Sequence, residues 1–306
     1  MKLVRHARGL EATSRPRILV LGNFDGVHRG HQALLERVVE RARLCNGEAL
    51  ALSFHPHPGR VLAPDRMPLL LSSLRQRVRH IAESGIDAMI LLHFTPRLAA
   101  LEARRFVADF LLEELHAMQI VAGERVGFGR GRAGNATLLK QMSEESGFEL
   151  EIVAAVEVDG ETVSSSRIRA AISRGELERA ARMLGRPYAV AGRVVQGLRR
   201  GHSLGFPTAN LRPRGLQLPP NGVYAVRVRV GGEERRAVAN LGFNPTFGNQ
   251  ERTLEAHLLD FDGDLYGMVI EVTFVAFLRG ERKFPNVDAL AEQIGVDIAA
   301  ARRLLS

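Results

Sequence analysis

The chain has 306 residues, 45 % of them apolar, with a formal net charge of +8 and a single cysteine, Cys45. That length supports two domains with cores of their own, the lone cysteine excludes an internal disulfide, and no apolar run reaches transmembrane length. The charge is carried almost wholly by scattered arginines, as in Arg75-Gln76-Arg77-Val78-Arg79, and these read as solvated faces rather than as a nucleic-acid surface.

Met1 to Arg17 lacks the apolar segment of a secretory signal, so a cytoplasmic protein is expected, with Cys45 packed rather than reactive. Ile18-Leu19-Val20-Leu21 reads as a buried parallel strand, and Gln32 to Ala42 as an amphipathic helix with Leu34, Leu35, Val38, Val39 and Ala42 at helical spacing. Between them lies Gly22-Asn23-Phe24-Asp25-Gly26-Val27-His28-Arg29-Gly30-His31. Glycines at a strand-to-helix junction let the backbone approach a ligand, and the helix N-terminus offers unpaired N–H groups to an anion. His28 and His31 lie three apart and can point the same way, which suits a polyphosphate. The Gly-Lys-Ser/Thr of a P-loop is absent, as is Gly-x-Gly-x-x-Gly.

Glu48 to Phe54 is a second strand, running into His55-Pro56-His57-Pro58-Gly59, which the two prolines should keep from being helical. Helix is expected over Leu69 to Glu83, strand over Asp87 to Phe94, and helix over Ala103 to Leu115 with Phe106, Val107, Phe110 and Leu111 on one stripe. Gln119 to Gly123 is a fourth strand, ending in the loop Gly127-Phe128-Gly129-Arg130-Gly131-Arg132-Ala133-Gly134. Helix over Ala136 to Ser146 and a fifth strand over Leu150 to Val158 follow. Alternating strands and helices predict a doubly wound parallel sheet with ligands at the carboxyl ends of its strands. Ser164-Ser165-Ser166 before an amphipathic run reads equally as a helix cap and as a phosphate contact shared with Arg169.

Near residue 186 the pattern changes to period two: Val226, Val228 and Val230, then Gly231-Gly232 as a hairpin turn. Leu254 to Phe261 and Met268 to Leu278 are further strands, and Val287 to Leu305 is a closing helix. Short strands plus one helix predict a small antiparallel β-barrel, with domains 1–185 and 186–306. Within the second, Gly192-Arg193-Val194-Val195-Gln196-Gly197 leads to Gly201-His202-Ser203-Leu204-Gly205-Phe206-Pro207-Thr208-Ala209-Asn210-Leu211. Thr208 and Asn210, two apart in an extended segment, suit Mg²⁺ held together with phosphates and water, or else a turn in which both bond their own backbone.

The ten residues from Gly22 to His31 resemble the His-x-Gly-His signature of nucleotidylyltransferases, and their Gly-x-Phe-Asp-Gly-x-His-x-Gly-His string resembles the FAD synthetase branch. Gly205-Phe206-Pro207-Thr208-Ala209-Asn210 is similar to the riboflavin kinase signature. So are Gly222-Val223-Tyr224, Ala239-Asn240-Leu241-Gly242 with Pro245-Thr246-Phe247, Glu255-Ala256-His257-Leu258-Leu259-Asp260-Phe261, Asp264-Leu265-Tyr266-Gly267 and Phe277-Leu278-Arg279. The order and coverage are those of the bacterial bifunctional riboflavin kinase/FAD synthetases. The resemblance implies a Rossmann-like nucleotidylyltransferase domain followed by a riboflavin kinase barrel. It also implies ATP, riboflavin and FMN as small-molecule partners and Mg²⁺ as cofactor, with neither nucleic acid nor membrane, and an oligomer left open.

For the kinase it implies Glu255 as base, Thr208 and Asn210 as metal ligands, and Gly201, Gly205 and Pro207 beside ATP. Arg279 reads as a phosphate or flavin contact or else as an exposed strand-end arginine, and His257 as packing or hydrogen bonding. For the adenylyltransferase it implies ATP held by Gly22, Phe24, Asp25, Gly26, His28, Gly30, His31, Ser165, Ser166 and Arg169. His28, His31 and Arg169 act there by neutralising charge, and Pro56, His57, Arg125 and Phe128 face the flavin. The chain departs from the family in the loop Gly123 to Gly129, where Arg125 replaces a small acid or amide and Gly127 also differs, and at His55 for an acidic residue and His202 for an arginine. A kinase with a degenerate first domain is the second reading, and a basic nucleic-acid-binding protein a remote third.

Overall fold

Leu19 and Leu21 face one side of their strand and Ile18 and Val20 the other, and all four are buried because the strand runs through the middle of a sheet covered on both faces. The computed structural model describes residues 1–197, 205–243 and 251–306. Two compact units emerge, Met1–Pro68 with Leu74–Ser165, and Leu69–Ser73 with Ser166–Ser306. Residues 166–185, read from the sequence with the first domain, thus cluster with the second unit.

In the first unit β1 (Lys2–Val4), β2 (Arg17–Leu21), β3 (Glu48–His55), β4 (Ala88–His93), β5 (Ala117–Gly123) and β6 (Glu149–Val153) form one parallel sheet ordered β1-β4-β3-β2-β5-β6. Leu19, Leu50 and Ile90 pack with Val107 and Leu111 on one face, and Val20, Ala51 and Met89 with Leu35 and Val38 of α1 (Arg29–Leu44) on the other. Each such fully buried side chain contributes about 1.5–3 kcal/mol. The chain leaves β2 toward β3 and β4 on one side, then crosses to β5 and β6 on the other. The carboxyl ends of β2 and β5 therefore flank the point where the strand order reverses.

Several local expectations change. Proline is tolerated in a helix's first turn, so Pro58 opens the short helix α2 (Pro58–Leu62) where the sequence suggested only loop. Helix α3 (Leu74–Glu83) starts five residues later than Leu69, because Leu70 instead bridges Leu216. The stretch Ala103–Arg105 continues as Phe106–Glu114 with π winding. The run read as one strand to Val158 stops at Val153. β7 (Glu157–Val158) and β8 (Glu161–Thr162) then make a hairpin around Asp159 and Gly160, both at positive φ. Edge strand β1, with one buried residue in three, had no pattern to announce it. Cys45 is exposed at the C-cap of α1, not packed.

In the second unit β9 (Ala189–Arg193), β10 (Ala209–Leu211), β11 (Gly222–Val230), β12 (Glu233–Phe243), β13 (Arg252–Leu258) and β14 (Val269–Arg279) form an antiparallel sheet ordered β10-β13-β12-β11-β14-β9. A bridge from Val195 to Asn210 joins the chain after β9 to β10, so the sheet is nearly closed into a barrel. Gly231 and Gly232, both at positive φ, turn β11 into β12. The helix Val287–Leu304 is capped by the Asn286 side chain, which accepts from the Ala289 N–H at 2.8 Å. Ala301 and Leu305 bury themselves against Val223, Ala225 and Val238.

Candidate active sites

The loop after β2 is conformationally forced. Gly26 sits at φ 82°, which suits glycine, but Phe24 at 50° and Val27 at 40° are also in the left-handed region. For such residues this costs about 1–3 kcal/mol each, and a strained turn at a helix N-terminus points to a functional demand on the backbone. The strain is sustained by burial, since Phe24, Asp25, Val27 and His28 are all buried.

His28 is the N-cap of α1, its Nδ1 accepting the His31 N–H at 3.3 Å. In the neutral ring the proton then lies on Nε2, leaving that nitrogen as donor. The His31 ring stacks on His28 with centroids 3.7 Å apart and planes 14° from parallel, and it meets the edge of Phe24 at 5.3 Å. The two histidines three residues apart are thus brought together. Gly22 and Gly30 flank the same turn, and the Ser165 hydroxyl donates to the Asp25 carbonyl at 3.1 Å. Ser166 and Arg169 fall in the second unit, where the Arg169 Nε–H donates to the Leu69 carbonyl at 2.6 Å.

Beneath this loop lies Arg77, 6 % exposed although its neighbours in sequence suggested a solvated face. Gln76 is buried beside it. The error has a visible cause: Leu74, Arg77, Val78 and Ile81 recur at helical spacing, so Arg77 occupies the apolar stripe of α3. Burial opposes its charge and nearby Asp25 supports it. Sequence reasoning missed this residue.

At the neighbouring strand ends, the His57 Nδ1 accepts the Gly59 N–H at 3.1 Å and caps α2 behind Pro56. Arg125 is exposed at the start of the loop after β5. Phe128 is buried, its ring 5.9 Å from Phe106, and its backbone pairs with Gly134 in both directions at 3.1 and 2.9 Å. That ring is core first. His55 is exposed and opposite His93 in register. Partial burial, then Arg77, Arg5, His93 and Arg60, hold it below the usual histidine range.

In the barrel, Asn210 lies opposite Glu255 on β13, and Glu255 lies opposite Asn240 on β12. Cross-strand partners project to one face, so this puts an amide, a carboxylate and an amide in a row. The Asn210 Nδ2 lies 3.2 Å from the Thr208 Oγ1. Rotating that amide by half a turn would put two side-chain oxygens at that 3.2 Å, which a small side-chain adjustment brings to the ~2.9 Å between adjacent ligands of a Mg²⁺ octahedron. The donor set therefore fits the ion. Among the described residues no three His, Cys, Asp or Glu side chains gather as a metal site, so phosphate and water oxygens would complete the shell. A Cβ on Gly197 would come within 2.5 Å of the Asn210 amide, so the chain there must be glycine for the amide to keep its place.

The His257 Nδ1 lies 2.8 Å from the Pro207 carbonyl oxygen, and its ring meets Phe206 edge-on at 5.6 Å. Pro207 is thereby tied to β13 and the adjacent Thr208 meets Asn210, whereas Gly201, His202 and the stretch with Pro245, Thr246 and Phe247 lie outside the described residues. Arg279 is committed to Asp297 on the last helix, its Nε and an η-nitrogen donating to both carboxylate oxygens at 2.8–3.1 Å. Asp297 is buried and also accepts from Gln293 at 2.8 Å. It is a second residue the sequence reading passed over.

A family model for FAD synthetase matches residues 10–167, and one for riboflavin kinase matches residues 184–305. The bifunctional riboflavin kinase/FMN adenylyltransferase of Escherichia coli (strain K12) is 39 % identical over 304 residues, covering 99 % of this chain and 97 % of that protein. The protein so named from Pseudomonas fluorescens is 39 % identical over 305 residues, covering 99 % and 98 %. A crystal structure of a macrolide-efflux protein from Streptococcus pneumoniae is similar with a TM-score of 0.85 at 33 % identity, covering 98 % of both chains. Among the described residues of this chain, no helix is long and apolar enough to cross a membrane. With two family models in sequence and full-length relatives of the same double name, the chain belongs to the bifunctional riboflavin kinase/FMN adenylyltransferase family.

Proposed function

We propose that the barrel transfers the γ-phosphate of ATP to the ribityl 5′-hydroxyl of riboflavin, and that the parallel-sheet unit joins the resulting FMN to the AMP part of ATP with release of pyrophosphate. The observation that carries the kinase assignment is the row Asn210–Glu255–Asn240 beside Thr208. An alcohol is a weak nucleophile until its proton is removed, and the Glu255 carboxylate is the base for that proton. Thr208 Oγ1 and the Asn210 amide oxygen would hold Mg²⁺, which would supply charge neutralisation to the phosphates. His257 holds the Pro207 carbonyl and so sets the segment that presents Thr208.

Adenylyl transfer needs no base, because the attacking FMN phosphate oxygen is already ionised. It forms a bond to the α-phosphorus as the bond to the β-phosphate oxygen breaks. Catalysis there is alignment and charge neutralisation. His28 donates from Nε2, His31 is held parallel to it, and the first turn of α1 adds backbone N–H groups. Pro56, His57 and Arg125 stand at the ends of β3 and β5 as the flavin side of this site. A cytoplasmic location fits the ATP that both steps consume.

One experiment tests the whole assignment. Purified protein given riboflavin, ATP and Mg²⁺ should form FMN and then FAD, followed by chromatography. FMN without FAD identifies a kinase with a degenerate first unit, and neither product refutes both assignments.

A further inference from the structure

We infer that Arg77 is a positioning residue for adenylyl transfer, bracing the phosphate-binding turn through the backbone rather than touching substrate; the inference rests on the adenylyltransferase reading of the first unit. Its geometry joins the turn after β2 to the end of β3. One η-nitrogen donates to the Asn23 carbonyl at 2.7 Å, inside the Gly22–His31 motif, and the other to the Phe54 carbonyl at 3.1 Å, just before His55-Pro56-His57. Regular pairing of β2 with β3 stops at Leu21 and Leu52, with one further bond from the Gly22 N–H to the Leu52 carbonyl at 3.0 Å. Arg77 acts where the ladder has ended. There the turn departs from the strand into the left-handed conformations of Phe24 and Val27. The Ser53 hydroxyl reaches the same Asn23 carbonyl at 3.4 Å, a weaker second tie.

Stability of the sheet alone does not explain a guanidinium at this place. A buried cation is costly unless fully paired, and here Nε has no hydrogen-bond partner among the described residues. An apolar residue would suit the stripe between Leu74 and Ile81 better. What arginine adds is its rigid fork, which reaches two carbonyls at once, and a fixed charge near Asp25. Asp25 and Asn23 flank Phe24 in the turn that leads to His28. Fixing that backbone fixes where the His28 and His31 rings sit.

The test compares Arg77→Met and Arg77→Lys with the wild type in FMN plus MgATP, reading pyrophosphate release, and uses riboflavin phosphorylation by the same molecules as the control for an intact second unit. Arg77→Met should lower kcat for FAD formation on the order of 10- to 100-fold with little change in the KM for ATP, because misplacement is felt mainly in the transition state. Arg77→Lys should recover only part, since one ammonium cannot span both carbonyls. Added guanidinium at millimolar concentration should restore activity to Arg77→Ala. Wild-type kcat in Arg77→Met overturns the inference. So does equal loss in the Met and Lys variants with a lowered melting transition of the first unit and no guanidinium rescue, which assigns Arg77 to folding alone. Wild-type protein that makes FMN but no FAD refutes the underlying adenylyltransferase reading instead.

Discussion

Asn210 and Glu255 sit opposite each other on neighbouring antiparallel strands, with the Thr208 hydroxyl 3.2 Å from the Asn210 amide nitrogen. A candidate base and a candidate metal pair are thus fixed by one register. Glu255→Gln keeps shape and polarity but removes the base. FMN formation from riboflavin should fall about 10²–10⁴-fold, the usual contribution of a positioned proton acceptor. Adenylylation of supplied FMN should be unchanged, and parallel loss of both activities refutes the division of labour.

Gly197 tests the metal side without altering a ligand. A Cβ there meets the Asn210 amide at 2.5 Å, closer than van der Waals contact allows. Gly197→Ala should push the amide away from Thr208 and raise the Mg²⁺ concentration needed for half-maximal kinase activity about tenfold, the scale of one lost charge-assisted contact. Titration of kinase activity with Mg²⁺ measures this, and an unchanged midpoint separates Asn210 from the metal.

Much of this was legible in the sequence because it was periodic. Uninterrupted apolar runs became parallel strands buried on both faces, and Val226, Val228 and Val230 became the inward row of β11. His28 and His31 were readable as a pair because three residues is almost one helical turn. What stayed hidden depends on partners distant in sequence. Arg77 looked like one arginine among many until its stripe met the ends of β2 and β3. Asp297 needed the last helix docked beside β14 before Arg279 found its carboxylate. The Pro58 helix and the late start of α3 turned on a first-turn proline and a bridge to Leu216.

His28 combines two roles that different substitutions separate. Loss of its Nδ1 cap in His28→Ala should destabilise α1 by about 1 kcal/mol, whereas His28→Asn restores a favoured cap. Neither variant can donate from an imidazole Nε2. Both should therefore lose pyrophosphate release from FMN and ATP about 10²-fold or more, as for a preorganised donor. Chemical unfolding should distinguish the two while activity does not. Full activity in His28→Asn reduces the residue to a cap.

Arg279 and Asp297 should be tightly interdependent. Removing the carboxylate leaves a mostly buried guanidinium unpaired, and Asp297→Ala should cost about 3 kcal/mol, in line with other broken buried pairs. Asp297→Asn, which preserves the Gln293 contact, should cost less. If Arg279 also faces the flavin, both variants raise the KM for riboflavin while leaving that for ATP unchanged. Urea unfolding and kinase kinetics check the two halves of the prediction.

His55 gives the first unit a pH dependence of known sign. Partial burial, reinforced by Arg77, Arg5, His93 and Arg60, places its folded value below the usual 6.5. The unfolded chain therefore takes up a proton as pH drops through about 6.5, before the folded chain does, and stability falls with falling pH over that range. His55→Asn removes this titration. Its melting temperature should decline less than that of the wild type between pH 7 and pH 5, and His55→Asp, which adds an anion among the same cations, should decline least until its own carboxylate protonates. The measurement is calorimetry across that interval in one buffer series. An identical acid-side slope in wild type and His55→Asn would show that the cations around the β3 and β4 ends do not act on this ring.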